Sequence, residues 1–412
     1  MKSDKLYSKI LIKNITGQHW EFYVLDNKLF YIVSNENTYM EKQVKLIDNI
    51  NTYDIAIDTH NNIHLVYSCY GGEFCYMRYS DEVWSKNTFY KADEKVEIDF
   101  INILTTNNSV HIFYTYRNNR KYYKIFHIYE STDQWIYTQV AKVPLWKVSI
   151  PYRVDSNVNN DIIMLFMARF QGYNKVYFKI FNSQNSIWSI SKGLKLDKGN
   201  AVIKDFLIDS RDNHHLIYHD NTHVCYVNYH LGNANPTFNS PLNDLKHPEN
   251  GLFADYQISE CDDKIFASCN DGHSLYCFTS DDFGKTWGEK IEYDLNDMYP
   301  TKLIYIRSDF QITKPIITMG SMTNEIKDLL GMTDYPPQKQ SDKIITREID
   351  ESPPQDTNII DDEEISMNDN EEEITNPPDN LLYESDDKIP IEPDDYNEES
   401  IIKKLKKFFS DL

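Results

Sequence analysis

The sequence predicts an all-β protein in which repeated four-stranded sheets close into a ring, a β-propeller. A short polar turn followed by an apolar strand recurs five times, and the apolar strands begin at Ile63, Val110, Ile162, His214 and Lys264. The steps between these positions are 47, 52, 52 and 50 residues, which is close to the ~40–50 residues of one propeller blade. Apolar residues in this region do not recur at helical spacing.

Each copy contains four short strands in the same order. A strand ending in Asp precedes the turn, and an aromatic-rich strand and then a strand opened by Trp follow the apolar strand. We expect the Asp residues to bond the backbone of the turn, with a Ca²⁺ or carboxylate-pair role as the alternative. The members of these columns are Asp58, Asp155 and Asp209 before the turn, and Trp84, Trp135, Trp188 and Trp287 in the last strand.

Two weaker copies lie at the ends of this region. Residues 26–33 predict a strand pair in a shortened blade, and residues 302–307 and 311–318 predict the first two strands of a last blade. We expect the N-terminal strand, residues 6–12, to pair with that last blade and so remove exposed sheet edges. This gives seven blades, with six as the alternative because the first blade is too short for four full strands.

One copy ends in a recognisable turn. Ser and Asp side chains in this pattern bond the backbone, Gly permits a positive φ, and Trp anchors the next strand. With Ser280, Asp282, Gly284, Thr286 and Trp287 at these positions, the segment resembles the Asp-box of sialidase-like β-propellers. The resemblance implies a tight structural turn between the third and fourth strands of a blade, with the Trp buried.

The resemblance does not extend to the catalytic residues of sialidases. Those enzymes need an arginine triad, a Tyr nucleophile with a Glu partner and an Asp acid/base, and they usually carry an early Arg-Ile-Pro motif and several Asp-boxes. This chain has one Asp-box. Residues 150–153 contain the Arg, Ile and Pro of the Arg-Ile-Pro motif, but in the wrong order. We assign no catalytic residue, metal site or cofactor, and the sequence favours a non-catalytic protein.

Histidines share one column of the repeat. A ring formed by His64, His111 and His215 could converge on a central channel and bind a metal ion. The same column contains Ile163 and Ile265, and this exchange of His with Ile favours a packing role.

The composition changes at about residue 335. Residues 335–399 contain 22 acidic and 4 basic residues, and such a segment buries too little apolar surface to offset the entropy of ordering. We therefore divide the chain into a propeller (1–330), a disordered acidic linker (331–399) and a terminal segment (400–412).

The terminal segment predicts a short basic amphipathic helix. Its apolar residues recur at i, i+3, i+4 and i+7 and share one face, while Lys residues cover the other. A helix this short is marginal alone in water, so we expect it to form on binding a partner. The residues expected at that contact are Ile401, Ile402, Lys403, Lys404, Leu405, Lys406, Lys407, Phe408, Phe409 and Leu412.

Charge and composition limit the kinds of binding partner and the cellular compartment that we expect. The chain has a net charge of −22, but residues 1–334 account for only −7, and this mildly acidic region is not expected to bind nucleic acid. We see no signal peptide and no long apolar run, and we interpret the six cysteines as reduced thiols, so we expect a cytoplasmic protein. The Asn-, Ile-, Lys- and Tyr-rich composition is similar to that of proteins from AT-rich bacteria.

Two classes of function fit these features. In the favoured one, the propeller is a non-catalytic scaffold with a face for a protein or glycan ligand. Residues 400–412 then dock on a protein partner, with an anionic membrane, or the acidic linker or propeller of the same chain, as the alternative contacts. In the other, the chain is a carbohydrate-active enzyme or lectin of the sialidase-like type, with its site in loops at the channel mouth.

Overall fold

Every regular element of the described residues is a β-strand, which confirms the predicted all-β class. In this part of the chain, no helix is long and apolar enough to span a membrane. The linker 331–399 and the helix 400–412 lie outside the described residues and stay predictions. The computed structural model describes residues 9–13, 18–35, 38–91, 97–106, 109–117, 122–131, 134–144, 151–170, 173–194, 196, 201–219, 224–229, 255–261, 263–270, 274–294 and 301–305.

Sheet 1 joins the two ends of the described chain. Strand β1 (Lys9–Lys13) pairs antiparallel with β2 and parallel with β25 (Thr301–Tyr305). The predicted pairing of the N-terminal strand with the region around residue 302 is confirmed. The two weak copies predicted as separate blades share this one sheet, because β3 of the first copy and β25 of the last both belong to it; residues 26–33 contain most of the single strand β3 rather than the predicted strand pair. The remaining strands are β2 (Gln18–Leu25), β3 (Lys28–Asn35) and β4 (Thr38–Ile47).

Sheets 2 and 3 each have four antiparallel strands in chain order, as the repeat predicts. Sheet 2 consists of β5 (Ile50–Ile57), β6 (Ile63–Cys69), β7 (Glu73–Ser80) and β8 (Val83–Lys91). Sheet 3 consists of β9 (Glu97–Thr106), β10 (Ser109–Arg117), β11 (Tyr122–Ser131) and β12 (Gln134–Pro144).

Three further sheets follow, so the described residues form six sheets and the blade count of the whole chain stays a prediction. Sheet 4 contains β13 (Tyr152–Ser156), β14 (Ile162–Phe170) and β15 (Tyr173–Asn182), and both β16 (Ile187–Trp188) and β17 (Lys192–Gly193) pair with β15. Sheet 5 contains β18 (Val202–Ile208), β19 (His214–His219) and β20 (Val224–Tyr229). Sheet 6 contains β21 (Asp255–Cys261), β22 (Lys264–Asn270), β23 (Ser274–Ser280) and β24 (Ile291–Asp294).

The first two strands of sheets 2, 4 and 5 are joined by the same five-residue turn. Its first residue, an Asp or Asn, accepts hydrogen bonds on its side-chain oxygen from the backbone N–H groups two and four residues later. Its fourth residue has a left-handed backbone, which Asn and Asp tolerate better than other side chains. These fourth residues are Asn61 (φ 73°), Asn160 (φ 63°) and Asp212 (φ 64°).

The turn of sheet 4 shows that Asp155 does not belong to the predicted column of turn Asp residues. Asp58 and Asp209 occupy the first position of their turns, but the equivalent residue of sheet 4 is Asn157. Asp155 lies two residues earlier, inside β13. Its carboxylate accepts the Ile208 N–H at 2.6 Å and so bonds the next sheet rather than the turn.

Consecutive sheets pack against each other, and the first strands of sheets 2 to 6 lie side by side in chain order. Each contact surface is an apolar core; Phe74 and Ile112, both fully buried, belong to the core between sheets 2 and 3. Buried carboxylates add hydrogen bonds between neighbouring first strands. Asp54 accepts the Ile103 N–H at 3.1 Å, and Asp205 accepts the Ile258 N–H at 2.8 Å.

An ionic contact supplements these bonds between sheets 4 and 5. Arg153 Nε donates to the Lys204 carbonyl at 2.9 Å and lies 3.5 Å from Asp205 Oδ1. Burial raises the pKa of Asp205 to about 6, although Arg153 and the backbone hydrogen bonds act to lower it. These polar groups of the first strands are therefore engaged in holding sheets together.

We expect Asp54→Ala to lower the free energy of unfolding by about 1–3 kcal/mol, because it leaves the buried Ile103 N–H without its acceptor. Asp48→Ala is the matched control, since Asp48 makes an exposed ion pair with Lys45, and such pairs contribute about 0–1 kcal/mol. Chemical denaturation of the full chain measures both. Equal effects of the two substitutions would contradict the role given to Asp54.

Candidate functional site

The turn at residues 280–287 connects β23 to β24, where the motif predicts it. Ser280 Oγ accepts the Gly284 N–H at 2.8 Å, and Asp282 Oδ1 accepts the Thr286 N–H at 2.8 Å. Gly284 has a φ of 77°, a conformation that suits glycine. Partial desolvation raises the pKa of Asp282, but hydrogen bonds led by that of the Thr286 hydroxyl outweigh it and lower the pKa to about 2. The motif residues therefore stabilise a tight turn.

The turn packs on sheet 5 through Phe283 and Trp287. Phe283 is 4% exposed, its ring lies 3.6 Å from the Arg211 guanidinium, and its carbonyl accepts the Asn228 side-chain N–H at 2.8 Å. Trp287 lies edge-on to Tyr226 at 5.0 Å between ring centroids. Trp287, predicted to be buried, is partly buried and packs against this core, while Phe283 is the fully enclosed ring of the turn.

Behind this turn, sheet 5 contains a hydrogen-bonded chain of buried side chains. His215 Nε2 lies 3.0 Å from Asp209 Oδ2, and His215 Nδ1 lies 2.7 Å from the Tyr226 hydroxyl. Asn213 also donates to Asp209, at 2.8 Å. The Asp, His and Tyr are each at most 1% exposed, and the Tyr226 hydroxyl lies 3.3 Å from the Gly284 carbonyl of sheet 6. We call such a chain, at this position of a sheet, a His relay.

Sheet 2 contains the same relay. His64 Nε2 lies 3.0 Å from Asp58 Oδ2, and His64 Nδ1 lies 2.7 Å from the Tyr76 hydroxyl. Asn62 donates to Asp58 at 2.7 Å. Trp135, from sheet 3, packs edge-on against Tyr76 at 5.0 Å. The relay of sheet 2 thus meets a Trp of the following sheet, as the relay of sheet 5 does.

Sheet 3 has a relay of different composition at the same register positions. Thr106 Oγ1 lies 3.3 Å from His111 Nε2, and His111 Nδ1 lies 3.0 Å from His127 Nε2. Trp188, from sheet 4, donates its Nε1–H to His127 Nδ1 at 3.3 Å. A threonine therefore takes the place of the Asp, and a second histidine takes the place of the Tyr.

In sheet 4, apolar side chains occupy the positions of the relay. Ile163 and Phe178 occupy the positions of the relay His and Tyr, as the strand registers show. Both join the core shared with sheet 5, together with Leu194 and Leu196. Asn157 still holds the turn. The relay can thus be replaced without loss of the turn or of the sheet.

The charges in the relays of sheets 2 and 5 define the direction of their hydrogen bonds. Burial raises the pKa of Asp58, but hydrogen bonds led by that of His64 outweigh it and lower the pKa to about 2; the same balance lowers the pKa of Asp209. Burial raises the pKa of the Tyr76 and Tyr226 phenols. A carboxylate only accepts, so a neutral His carries its hydrogen on Nε2 and its Nδ1 accepts from the Tyr.

The histidine column therefore has a structural role. His64, His111 and His215 belong to three separate relays, each bonded within its own sheet. Within the described residues, no group of three or more His, Cys, Asp or Glu side chains is placed to hold a metal ion. Cys75 and Cys225 lie in strands β7 and β20 as buried free thiols.

Sequence reasoning missed one of the three members of the relays in sheets 2 and 5, and two of the three in sheet 3. It found the His column and two of the Asp residues, but gave no role to Tyr76, Tyr226, His127 or Thr106. The partner lies 12 residues after His64, 11 after His215 and 16 after His111. Because hairpin length changes this offset, only the pairing of the strands shows that the partners are equivalent.

No protein-family model matches the chain, and no curated protein matches it. Among solved structures, the chain is similar to an ulvan lyase described as a new family of polysaccharide lyase, bound to a GlcA–Rha3S saccharide. The two share 11% identity over 76% of this chain and 91% of that one, with a TM-score of 0.46.

Two lectins are also similar in structure. One is from Burkholderia pseudomallei, with 11% identity over 72% of this chain and 87% of that one and a TM-score of 0.47. The other is the six-bladed fucose-recognising lectin of Aleuria aurantia, with 13% identity over 69% of this chain and 94% of that one and a TM-score of 0.40.

We expect Gly284→Ala to lower the free energy of unfolding by roughly 2–4 kcal/mol, because a left-handed non-glycine residue is strained and the site is overpacked. An added Cβ would collide with the Tyr226 hydroxyl and lie 3.0 Å from His215 Nδ1. Gly288→Ala is the control, because its Cβ would meet Thr279 Oγ1 at an acceptable 3.4 Å. Thermal unfolding of both variants tests this; a Gly284→Ala melting temperature equal to that of Gly288→Ala would contradict it.

Proposed function

We propose that this chain is a non-catalytic binding protein, a β-propeller scaffold whose terminal segment docks on a protein partner. The proposal rests on the hydrogen bonds that the acid–base side chains make within the fold. In sheets 2 and 5 the Asp, His and Tyr that could form a catalytic relay are committed to hydrogen bonds inside the fold.

Burial supports a structural role for the relay of sheet 5. His215 and Tyr226 are at most 1% exposed, beneath the 280–287 turn. A Tyr nucleophile or acid must reach its substrate and gains from a lowered pKa, whereas burial raises the pKa of Tyr226. Two copies of one arrangement, in sheets 2 and 5, also suit a repeated structural element better than a single active site.

The order of the sheets supports the propeller. The six sheets formed by the described residues follow each other in sequence, the first strands of sheets 2 to 6 lie side by side, and β25 pairs with β1. We propose that this pairing closes the ring. It favours the six-bladed alternative over seven blades, because the strand assigned to a separate last blade belongs to sheet 1.

The ligands and the compartment are proposals from the sequence. A protein partner would bind residues 400–412, with an anionic membrane as the competing contact, and a face of the propeller would bind a protein or a glycan. A cytoplasmic location stays a prediction.

Tyr226→Phe and Tyr76→Phe together test the non-catalytic assignment. We expect each to lower the free energy of unfolding by about 1–2 kcal/mol, because each removes the hydroxyl bonded to a buried His, and neither to alter ligand binding. The wild type and both variants are assayed on a glycan array, on chromogenic glycosides and on uronate polysaccharides. Turnover of any of these substrates by the wild type would overturn the assignment, and its loss in Tyr226→Phe but not in Tyr76→Phe, at equal stability, would place Tyr226 in the reaction.

Two matched sets of substitutions in the full chain test the binding of the terminal segment, residues 400–412. We expect Phe408→Ala with Phe409→Ala to abolish binding to a purified candidate partner, because these rings supply much of the apolar face. Lys→Gln changes at residues 403, 404, 406 and 407 should weaken it less. Liposomes containing phosphatidylserine provide the comparison. Binding to liposomes that only the Lys→Gln set abolishes would assign the segment to a membrane instead.

A further inference from the structure

In the relay of sheet 3, the donor and the acceptor of every hydrogen bond are fixed. Trp188 Nε1–H can only donate, so His127 Nδ1, 3.3 Å away, accepts. Neutral His127 then carries its hydrogen on Nε2 and donates to His111 Nδ1 at 3.0 Å. His111 in turn donates from Nε2 to Thr106 Oγ1 at 3.3 Å. This pattern requires both rings to be neutral and uses all four of their nitrogens.

Both rings are buried among aromatic side chains. His111 is 3% exposed and His127 is 0% exposed. Phe113 stacks on His127 at 4.5 Å between centroids, and Phe181 lies edge-on at 4.8 Å. Burial lowers the pKa of His111 to about 3, and burial together with the neighbouring His111 lowers the pKa of His127 well below its ordinary value.

Among the described residues, neither ring is hydrogen-bonded to a carboxylate that would stabilise a positive charge, because their partners are Thr106, each other and Trp188. The relays of sheets 2 and 5 place a carboxylate beside the His, whereas sheet 3 places the Thr106 hydroxyl there. The tyrosines of this core are Tyr123, Tyr129, Tyr152 and Tyr177. The charged residues on the strands that form it include Asp99, Arg117, Lys124, Glu130, Lys142, Arg153, Asp155, Lys175 and Lys179.

Protonation of His111 or His127 breaks one of the hydrogen bonds of this relay. A proton on His127 Nδ1 would face the Trp188 N–H, and a proton on His111 Nδ1 would face the His127 N–H. Since Trp188 belongs to sheet 4, the first of these breaks falls between two sheets. We propose that the contact between sheets 3 and 4 is a pH-sensitive latch, closed while His111 and His127 are neutral and opened when either is protonated.

The sign of the pH dependence follows from proton binding. A solvent-exposed His has a pKa of about 6.5, whereas both rings resist protonation in the closed contact. The open form therefore binds more protons, and the closed contact is stable above pH ~6.5 and weakens as the pH falls below it. Each histidine increases the ratio of open to closed forms by about ten-fold per pH unit.

Hydrogen exchange of the full chain between pH 7.5 and 4.5, corrected for the intrinsic exchange rate, tests the latch. We expect protection of residues 134–144 and 173–188 to fall by about ten-fold or more per pH unit below pH 6.5. Residues 63–80 of sheet 2, whose His faces a carboxylate, should lose less. An equal loss in both regions, or no loss above pH 4.5, would overturn the proposal.

The double variant Thr106→Asp with His127→Tyr gives sheet 3 the relay of sheets 2 and 5. We expect it to reduce the pH dependence at residues 134–144 to that of residues 63–80, whereas Thr106→Ser, which keeps a hydroxyl, should retain the wild-type dependence. An unchanged pH dependence in the double variant would refute the latch. Should that variant not fold, ¹⁵N NMR of the wild-type histidines decides, because an Nδ1–H tautomer or a charged ring in the closed protein contradicts the relay.

Discussion

The fold depends on an aromatic contact that each of several sheets makes with the one before it. A Trp at or near the start of the outer strand lies against an aromatic or His ring of the preceding sheet. Trp84 contacts Tyr31 at 6.1 Å, Trp135 contacts Tyr76 at 5.0 Å, Trp188 contacts His127 at 5.5 Å and Trp287 contacts Tyr226 at 5.0 Å. A β-sheet with two apolar faces cannot stay in water alone, so these contacts both cover a face and position the next sheet.

The relays follow from these contacts. In sheets 2, 3 and 5 the ring beneath the Trp is that of Tyr76, His127 and Tyr226, and its buried polar atom must be hydrogen-bonded. The His of the neighbouring strand satisfies it, and the Asp or Thr at the turn satisfies the His. In sheet 4 the equivalent residue is Phe178, which packs on sheet 5 without a polar atom to satisfy, and Ile163 suffices. The composition of each relay is thus a consequence of which ring the next sheet covers.

The same logic separates the relay of sheet 3 from the other two. In sheets 2 and 5 the relay ends on a carboxylate, partly buried at Asp58 and fully buried at Asp209, that accepts hydrogen bonds from several donors. In sheet 3 every member is neutral, so the arrangement depends on the protonation state of two imidazole rings. A structural element repeated three times has therefore acquired, in one copy, a sensitivity to pH that the other two do not share to the same extent.

Local features of the fold could be predicted from the sequence. The repeat period, the polar turns and the motif at residues 280–287 are short-range patterns, set by backbone conformations that Asn, Asp and Gly tolerate and by alternating apolar residues. They gave the strands, the turns and the pairing of the N-terminal strand with the region near residue 302. They misplaced features that depend on register or on distant pairing, such as the position of Asp155 relative to its turn and the division of sheet 1 into two blades.

Tertiary structure decided which residues act together. Tyr76, Tyr226 and His127 become relay members because strand pairing aligns them with a His on the neighbouring strand, at offsets that vary with hairpin length. Phe283 is buried in place of Trp287 because the Arg211 side chain and the Asn228 amide of sheet 5 receive it. Side-chain alternation along a strand specifies a face but not what covers that face. The sequence by itself therefore determined the strands, the turns and the repeat, and the packing of one sheet on the next determined the role of each buried polar group.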